Sequence, residues 1–197
     1  GPLTLRITTS GDQASQLLDL KVDLNSSKID LPNRFIKTSN EALQLTAQLH
    51  VSPTHLHLKK LTFDVGPAQL HAHGSIPTDG KIDEANFDLR LLPTDLNALA
   101  RLLPSARKAL KDLSSGGGQI SSEAHYVSRA KVGQTADFKL SVGQGQLDTP
   151  TLKIIGSGQM SGQLSIPPNG KEELTINAEL SDMALRIPEM INKSRGV

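Results

Sequence analysis

Two histidine pairs are the residues of this sequence that could most readily do chemistry. His55 and His57 are two residues apart, and so are His71 and His73. Residues two apart on a β-strand project from the same face, and two imidazole pairs on nearby strands could bind zinc through their ring nitrogens. Apolar residues alternate with each pair, which places the histidines on the solvent side, and no carboxylate accompanies them in sequence. We therefore interpret them as surface histidines and predict no metal site.

Other motifs that could carry chemistry are also absent or incomplete. Gly156-x-Gly158-x-x-x-Gly162 is superficially similar to a dinucleotide loop, but that loop requires a helix directly after the glycines, and here the strand pattern continues. The acidic pairs at 83–84 and 172–173 lie near predicted turns, which is typical of solvated turns rather than of general acid-base pairs. The sequence has no Cys and no Gly-x-Ser-x-Gly motif. We predict no catalytic residue, no cofactor and no enzymatic activity.

Charge and aromatic content argue against a nucleic-acid partner. The chain has 21 basic and 20 acidic residues, a net charge of +1, and only 3% aromatic residues. Nucleic-acid binding depends on clustered Lys and Arg against phosphates, usually with aromatic side chains that stack on bases. Neither feature is present. The absence of Cys agrees with a bacterial periplasmic location, where free thiols are oxidised.

The elements that position these residues are predicted to be β-strands. Apolar residues alternate with polar ones over almost the whole chain, for example at Leu61, Phe63 and Val65. This period of two indicates strands with one apolar and one solvated face. Turn sequences such as Asp79-Gly80 and Asn169-Gly170 separate the runs, so that consecutive strands are expected to pair. We predict a mainly β fold, an elongated curved antiparallel sheet built from repeated hairpins.

One segment near the middle departs from this alternation. Residues 94–113 place Leu and Ala at spacings of three and four, which predicts helix. Thr94 is the expected N-cap, and Asp95 suits the first turn. Pro104 is expected to divide the segment into two short helices, which pack their leucine stripe on the sheet.

The chain is interpreted as one domain with an internal repeat. Gly1 and Pro2 are taken as the remnant of a cleaved tag, and residues 3–197 as a single β-rich segment of a longer protein. Residues 61–96 are echoed by 151–183, with three separate matches at one constant offset. A repeated hairpin unit predicts a sheet that grows by addition of further hairpins.

Several stretches of the sequence resemble the bacterial AsmA-like family. The first stretch is 57–66 with Gly74-Ser75-Ile76. The second is Phe87-Asp88-Leu89-Arg90-Leu91 with Thr94-Asp95-Leu96, followed by a Leu-rich helix that ends at a Pro. The third is Gly118-Gln119-Ile120, which follows a Gly-rich break. The resemblance covers roughly residue 43 to the C-terminus. It implies a periplasmic body that is anchored in the inner membrane through a segment absent from this sequence.

The same resemblance implies phospholipid transport or outer-membrane homeostasis. The family is related to bridge-like lipid-transfer proteins, whose curved sheet forms a groove lined by apolar side chains. An aliphatic, aromatic-poor groove suits acyl chains, which need apolar area rather than hydrogen bonds. The expected partners are phospholipid acyl chains and, in addition, envelope proteins. The lipid-facing candidates are Leu61, Phe63, Leu70, Phe87, Leu89, Phe138, Leu140, Leu164 and Ile176.

Two alternatives stay open at the level of sequence. The leucine stripe of 94–113 could cover the apolar face and leave a packed domain with no room for lipid. The chain would then be a structural or protein-interaction module of an envelope or secretion assembly, in which an exposed edge strand pairs with another chain. In that case the nine candidates are ordinary core residues.

Overall fold

The computed structural model describes residues 2–12, 14–32, 35–39, 41–79, 84–102, 115–148, 153–168, 170–187 and 191–193. The described elements are β1 (Thr4–Gly11), β2 (Gln16–Asp23), β3 (Ile29–Leu31), β4 (Phe35–Lys37), β5 (Leu43–Val51), β6 (His55–Val65), β7 (Ala68–Pro77), β8 (Asn86–Asp95), α1 (Leu96–Leu102), β9 (Ser115–Arg129), β10 (Gly133–Asp148), β11 (Lys153–Ile166), β12 (Glu173–Ile187) and β13 (Ile191–Lys193). The prediction of a mainly β fold is confirmed.

Eleven of the strands form one antiparallel sheet. Their order is β1-β2-β5-β6-β7-β8-β9-β10-β11-β12-β13, so neighbours in the sheet follow one another along the chain. Strands β3 and β4 lie between β2 and β5 in the chain and pair with each other in a separate two-stranded sheet. Short turns make this order possible. Gly66, for example, turns β6 into β7 with a φ of 54°, a left-handed conformation that favours glycine. The elongated sheet of successive hairpins matches the prediction.

Bulges explain why the alternation in the sequence changes phase. In β6 the apolar residues run at even positions up to Leu58 and at odd positions from Leu61, and the register shifts between these two residues. The extra residue of the bulge returns both halves to the same face and bends the strand. The glycines of Gly143-Gln144-Gly145 are typical of a break between strands. The segment is instead a bulge inside β10, where Gln144 has a φ of 51°.

The helix begins one residue later than the sequence predicts. Thr94, the expected N-cap, is the penultimate residue of β8 and is buried, and its hydroxyl donates to the carbonyl of Leu92. Asp95 is the N-cap, because its carboxylate accepts the backbone N–H of Ala98 at 2.7 Å. Helix α1 ends at Leu102, and the second helix expected from the sequence lies outside the described residues.

The tightest packing lies at one end of the sheet. Leu102 of α1 is 1% exposed and contacts the turn at Gly66, where a Cβ would lie 2.6 Å from the Leu102 Cδ1. The β3–β4 hairpin joins α1 at this end, and its Lys37 is fully buried. We call this region, made of the β3–β4 hairpin, α1 and the turn at Gly66, the capped end.

The internal echo in the sequence includes a pair of hairpins with the same register. In β7–β8, Leu70 faces Leu91. At the matching positions of β11–β12, Met160 faces Ala178. Gly66 and Gly156 occupy matching positions of the echo, but their structures differ. Gly66 lies in a turn, whereas Gly156 lies inside β11.

Candidate functional site

One face of the large sheet carries a continuous apolar surface. Because consecutive strands pair in register, their apolar residues line up into three rows that cross ten strands. The central row is Ile7, Leu20, Ala47, Leu61, Ala72, Leu89, Ala124, Phe138, Gly162 and Ile176. The rows on its two sides run from Leu5 to Ala178 and from Thr9 to Leu174. We call these three rows the apolar face.

All nine candidates from the sequence lie on this one face. The central row contains Leu61, Leu89, Phe138 and Ile176, the row that starts at Leu5 contains Phe63, Leu70 and Leu140, and the row that starts at Thr9 contains Phe87 and Leu164. The alternation therefore selects residues that the fold brings together, although they come from six different strands.

Two phenylalanine rings lie over glycines of the neighbouring strand. A Cβ added to Gly162 would collide with the Phe138 Cζ, and one added to Gly74 would collide with the Asn86 carbonyl and, at 2.6 Å, with the Phe87 Cδ1. Each ring thus occupies the space where a side chain of its cross-strand partner would stand. The glycines at these positions let the aromatic side chains lie across the neighbouring strand.

No described element covers the apolar face along its length. Leu89 in the central row is 43% exposed, and Ile176 near its end is 53% exposed. Among the described residues, the buried large apolar side chains are Leu43 and Leu102 alone. The accessible surface of the chain is 13033 Å² at a mass of 21.1 kDa, whereas a compact protein of this mass exposes about 9000 Å². The excess agrees with a single-layered sheet.

Helix α1 packs at an end of the sheet rather than along the central row. Its contacts in the described structure are with β4, β8 and β9, and its last residue, Leu102, lies against the turn at Gly66. Leu89 stays exposed. The described part of the 94–113 segment therefore does not fill the apolar face, and residues 103–113 lie outside the described structure.

The capped end is held by an unusual buried cation. The ammonium group of Lys37 donates to the backbone carbonyls of Asn25 at 2.9 Å, Ser27 at 2.7 Å and Thr38 at 2.9 Å. These three bonds use all the donors of the ammonium, so the charge is buried with its hydrogen bonds satisfied. They join the segment after β2 to the segment after β4, and so fasten the hairpin to the sheet.

The two histidine pairs lie on the opposite, polar face but do not meet. His57 faces Ser75 on one neighbouring strand and His50 on the other. His73 instead contacts Asp88, with 3.2 Å between its Nε2 and a carboxylate oxygen. The other oxygen of Asp88 lies 2.7 Å from the Nδ1 of His125. Each pair therefore has partners other than the second pair, which agrees with their interpretation as surface residues.

Three imidazole rings are stacked at the start of β6. The centroid of His57 lies 5.8 Å from that of His50 and 5.6 Å from that of His55, with the planes within 19° and 23° of parallel. The pKa of His57 lies below its ordinary value of 6.5, first because partial burial disfavours the charged ring. Repulsion by the positive charge of Lys59, and by His55 and His50 when they are protonated, lowers it further.

The described residues contain no group of three or more His, Cys, Asp or Glu side chains that could hold a metal ion. Stacked rings do not direct their nitrogen lone pairs at one point, so the histidine cluster is not arranged as a ligand set. Of the acidic residues near turns, Glu84, Glu172 and Glu173 are exposed, and Asp83 lies outside the described residues. The glycines of the 156–162 motif lie within β11 with no helix after them.

Sequence reasoning missed His50, Asp88 and His125 as neighbours of the histidine pairs. Each joins its partner across strands, so no spacing along the chain shows the contact. The same period-two alternation that placed His73 on the polar side also places Asp88 and His125 there. The sequence alone does not give the register between strands, which brings His73, Asp88 and His125 into one row.

Comparisons with protein-family models, curated proteins and solved structures give no match to this chain. The likeness to the AsmA-like family therefore rests on the residues quoted above. Within the described part of the chain, no helix combines the length and the apolar character that crossing a membrane would need.

Proposed function

We propose that this chain is a non-catalytic periplasmic domain of an inner-membrane-anchored, AsmA-like protein, and that its apolar face binds phospholipid acyl chains during lipid transport or outer-membrane maintenance. The observation that carries the proposal is the continuity of the apolar rows across ten strands, together with the exposure of Leu89 in their centre. The location and the membrane anchor rest on the family resemblance.

The size of the apolar face supports a lipid ligand. Ten strands at about 4.8 Å spacing span about 43 Å, and three rows at every second residue span roughly 14 Å. The product, about 600 Å², is at the upper end of the apolar patches that monomeric soluble proteins expose, and such patches usually mark a binding surface. An extended acyl chain fits along the long dimension of this area but is longer than the short one.

The chemistry of the face supports acyl chains over other apolar ligands. It consists mainly of Leu, Ile, Val and Ala, and the polar side chains in its rows are few, among them Thr9, Ser122 and Tyr126. Such a surface offers apolar area without the hydrogen-bonding groups that a specific small molecule would need. Each CH₂ group removed from water contributes about 0.8 kcal/mol, so binding strength depends on the chain length buried.

Native mass spectrometry of the purified chain, followed by lipid extraction from the same sample, tests the proposal. We expect a phospholipid adduct on the wild-type chain and a weaker one on Leu89→Gln. Arg90→Gln is the matched control, because it introduces the same side chain at the next residue on the polar face. Equal lipid content in both variants would show that the apolar face does not bind the lipid.

The alternative function is a structural or protein-interaction module without lipid cargo. The exposed strands at the two sides of the sheet favour it, since an open edge can pair with a strand of another chain. A mass without adduct that stays unchanged after incubation with phospholipid vesicles would support this module over lipid binding.

A further inference from the structure

Among the described residues, the sheet has two edges without an outer neighbour. Strand β1 pairs with β2 on one side, and every one of its residues from Thr4 to Gly11 is exposed. Strand β12 pairs with β13 only between Leu185 and Ile187, so its first half has no outer neighbour among the described residues. Residues 173–179 are likewise all exposed.

Neither edge has the Pro or the bulge that prevents strands from pairing, and residues 173–179 carry charge only at Glu173 and Glu179. Strand β1 contains no Pro and no bulge, and its one charged residue is Arg6. Residues 173–179 of β12 also contain no Pro, and their pairing with β11 is regular. Long, regular and partly apolar edges without such protection are templates for a further strand.

The two edges are complementary in direction. In an antiparallel sheet the strands alternate, and β1 and β12 occupy the first and tenth places in the order. They therefore run in opposite directions, so that β1 of one copy can lie antiparallel to β12 of another with both apolar faces on the same side. The pairing repeats the relation that holds between every two neighbours in the sheet.

The two edges are also complementary in side chains. Continuing the central row places Ile7 of one copy opposite Ile176 of the next, because both residues end that row. Both are more than half exposed, at 57% and 53%. On the polar side the same register puts Arg6 diagonally across from Glu179, which is within reach of a long side chain.

We propose that β1 of one copy of this chain pairs with residues 173–179 of β12 of a second copy, which extends the sheet and its apolar face from one molecule to the next. The contact is heterologous, since the two copies contribute different strands, and it leaves one free edge of each kind at the ends. It does not depend on lipid binding, so the failure of either proposal leaves the other standing.

Two variants that each disable one edge test the pairing. Ile7→Asp places a carboxylate on the β1 edge, and Ile176→Asp does the same on the β12 edge. Val132→Asp is the matched control, because Val132 is exposed and lies in the turn between β9 and β10. Circular dichroism verifies the fold of each variant, and sedimentation velocity over a range of concentrations gives the size of the assemblies.

The proposal predicts concentration-dependent assemblies for the wild type and for Val132→Asp, and monomers for each edge variant alone. A mixture of Ile7→Asp with Ile176→Asp retains one wild-type pair of edges, so it must give dimers that do not grow. A monomeric wild type at every concentration overturns the proposal. Persistent dimers of Ile176→Asp, with loss of dimers only in Ile7→Asp, would also overturn it, since β1 would then pair with itself.

Discussion

The capped end and the open body of the sheet are stabilised in different ways. At the capped end, Leu102 is 1% exposed and Lys37 is fully buried with three hydrogen bonds. In the open body, the central row keeps Leu89 43% exposed. Strands in the body gain stability from hydrogen bonds and cross-strand contacts, whereas the capped end adds tertiary packing.

This difference indicates how structure and function are divided. A fully packed apolar face would add stability but would leave no apolar surface for a ligand. Concentrating tight packing at one end fixes the hairpins there and leaves the rest of the face free. The comparison predicts large losses of stability from substitutions at the capped end and small ones from truncations of exposed residues in the body.

The largest effect is expected from Leu102→Ala. Truncation of a buried leucine removes its transfer energy and leaves a cavity, so we expect the free energy of unfolding to fall by about 3 kcal/mol. The matched control is Leu174→Ala, since Leu174 is 60% exposed on the apolar face, and it should cost less than about 0.5 kcal/mol. Urea unfolding measures both, and equal losses would contradict the division between the two regions.

Lys37→Met is expected to have the next largest effect. It keeps the apolar stem but leaves three backbone carbonyls without their donor, which should cost about 2 kcal/mol in urea unfolding. Lys28→Met is the control, because Lys28 is an exposed lysine of the same segment. A stability of Lys37→Met equal to that of Lys28→Met would show that the buried ammonium does not hold the capped end.

Substitution of glycines on the sheet sharpens the description of the apolar face. In Gly162→Ala the new Cβ meets the ring of Phe138 and the carbonyl of Thr175, so we expect a loss of about 1–2 kcal/mol in urea unfolding. In Gly143→Ala the Cβ has no atom within 4 Å, and stability should stay the same or rise slightly. A neutral Gly162→Ala would mean that Phe138 does not lie over this glycine.

The smallest effect concerns pH and the polar face. Because the pKa of folded His57 lies below 6.5, the unfolded chain binds a proton more readily, and stability falls as pH drops through 6.5. The effect is the smallest of those considered, because solvent screens the charge of a side chain on the polar face. Urea midpoints at pH 7.5 and 5 should differ less in His57→Asn than in the wild type. If the midpoints of His57→Asn differ by as much as those of the wild type, His57 is not the source of the pH dependence.

The sequence predicted the class of fold because alternation survives in nearly every strand. It also placed the nine candidates on one face, since residues two apart share a side and short turns make neighbours pair. It did not predict that Leu58 and Leu61 belong to one strand, because a bulge changes the phase between them. The contact of Asp88 with His73 and His125 depends on register between strands, which alternation leaves undetermined.

Photo-crosslinking with a phospholipid that carries a diazirine in its acyl chain tests the central claim most directly. The account predicts crosslinks at apolar-face residues such as Leu89 and Phe138, mapped by mass spectrometry of peptides from the labelled chain. It predicts none at Arg90 and Lys139, their neighbours on the polar face. Crosslinks on the polar face, or an equal distribution over both faces, would contradict a role of the apolar face in binding acyl chains.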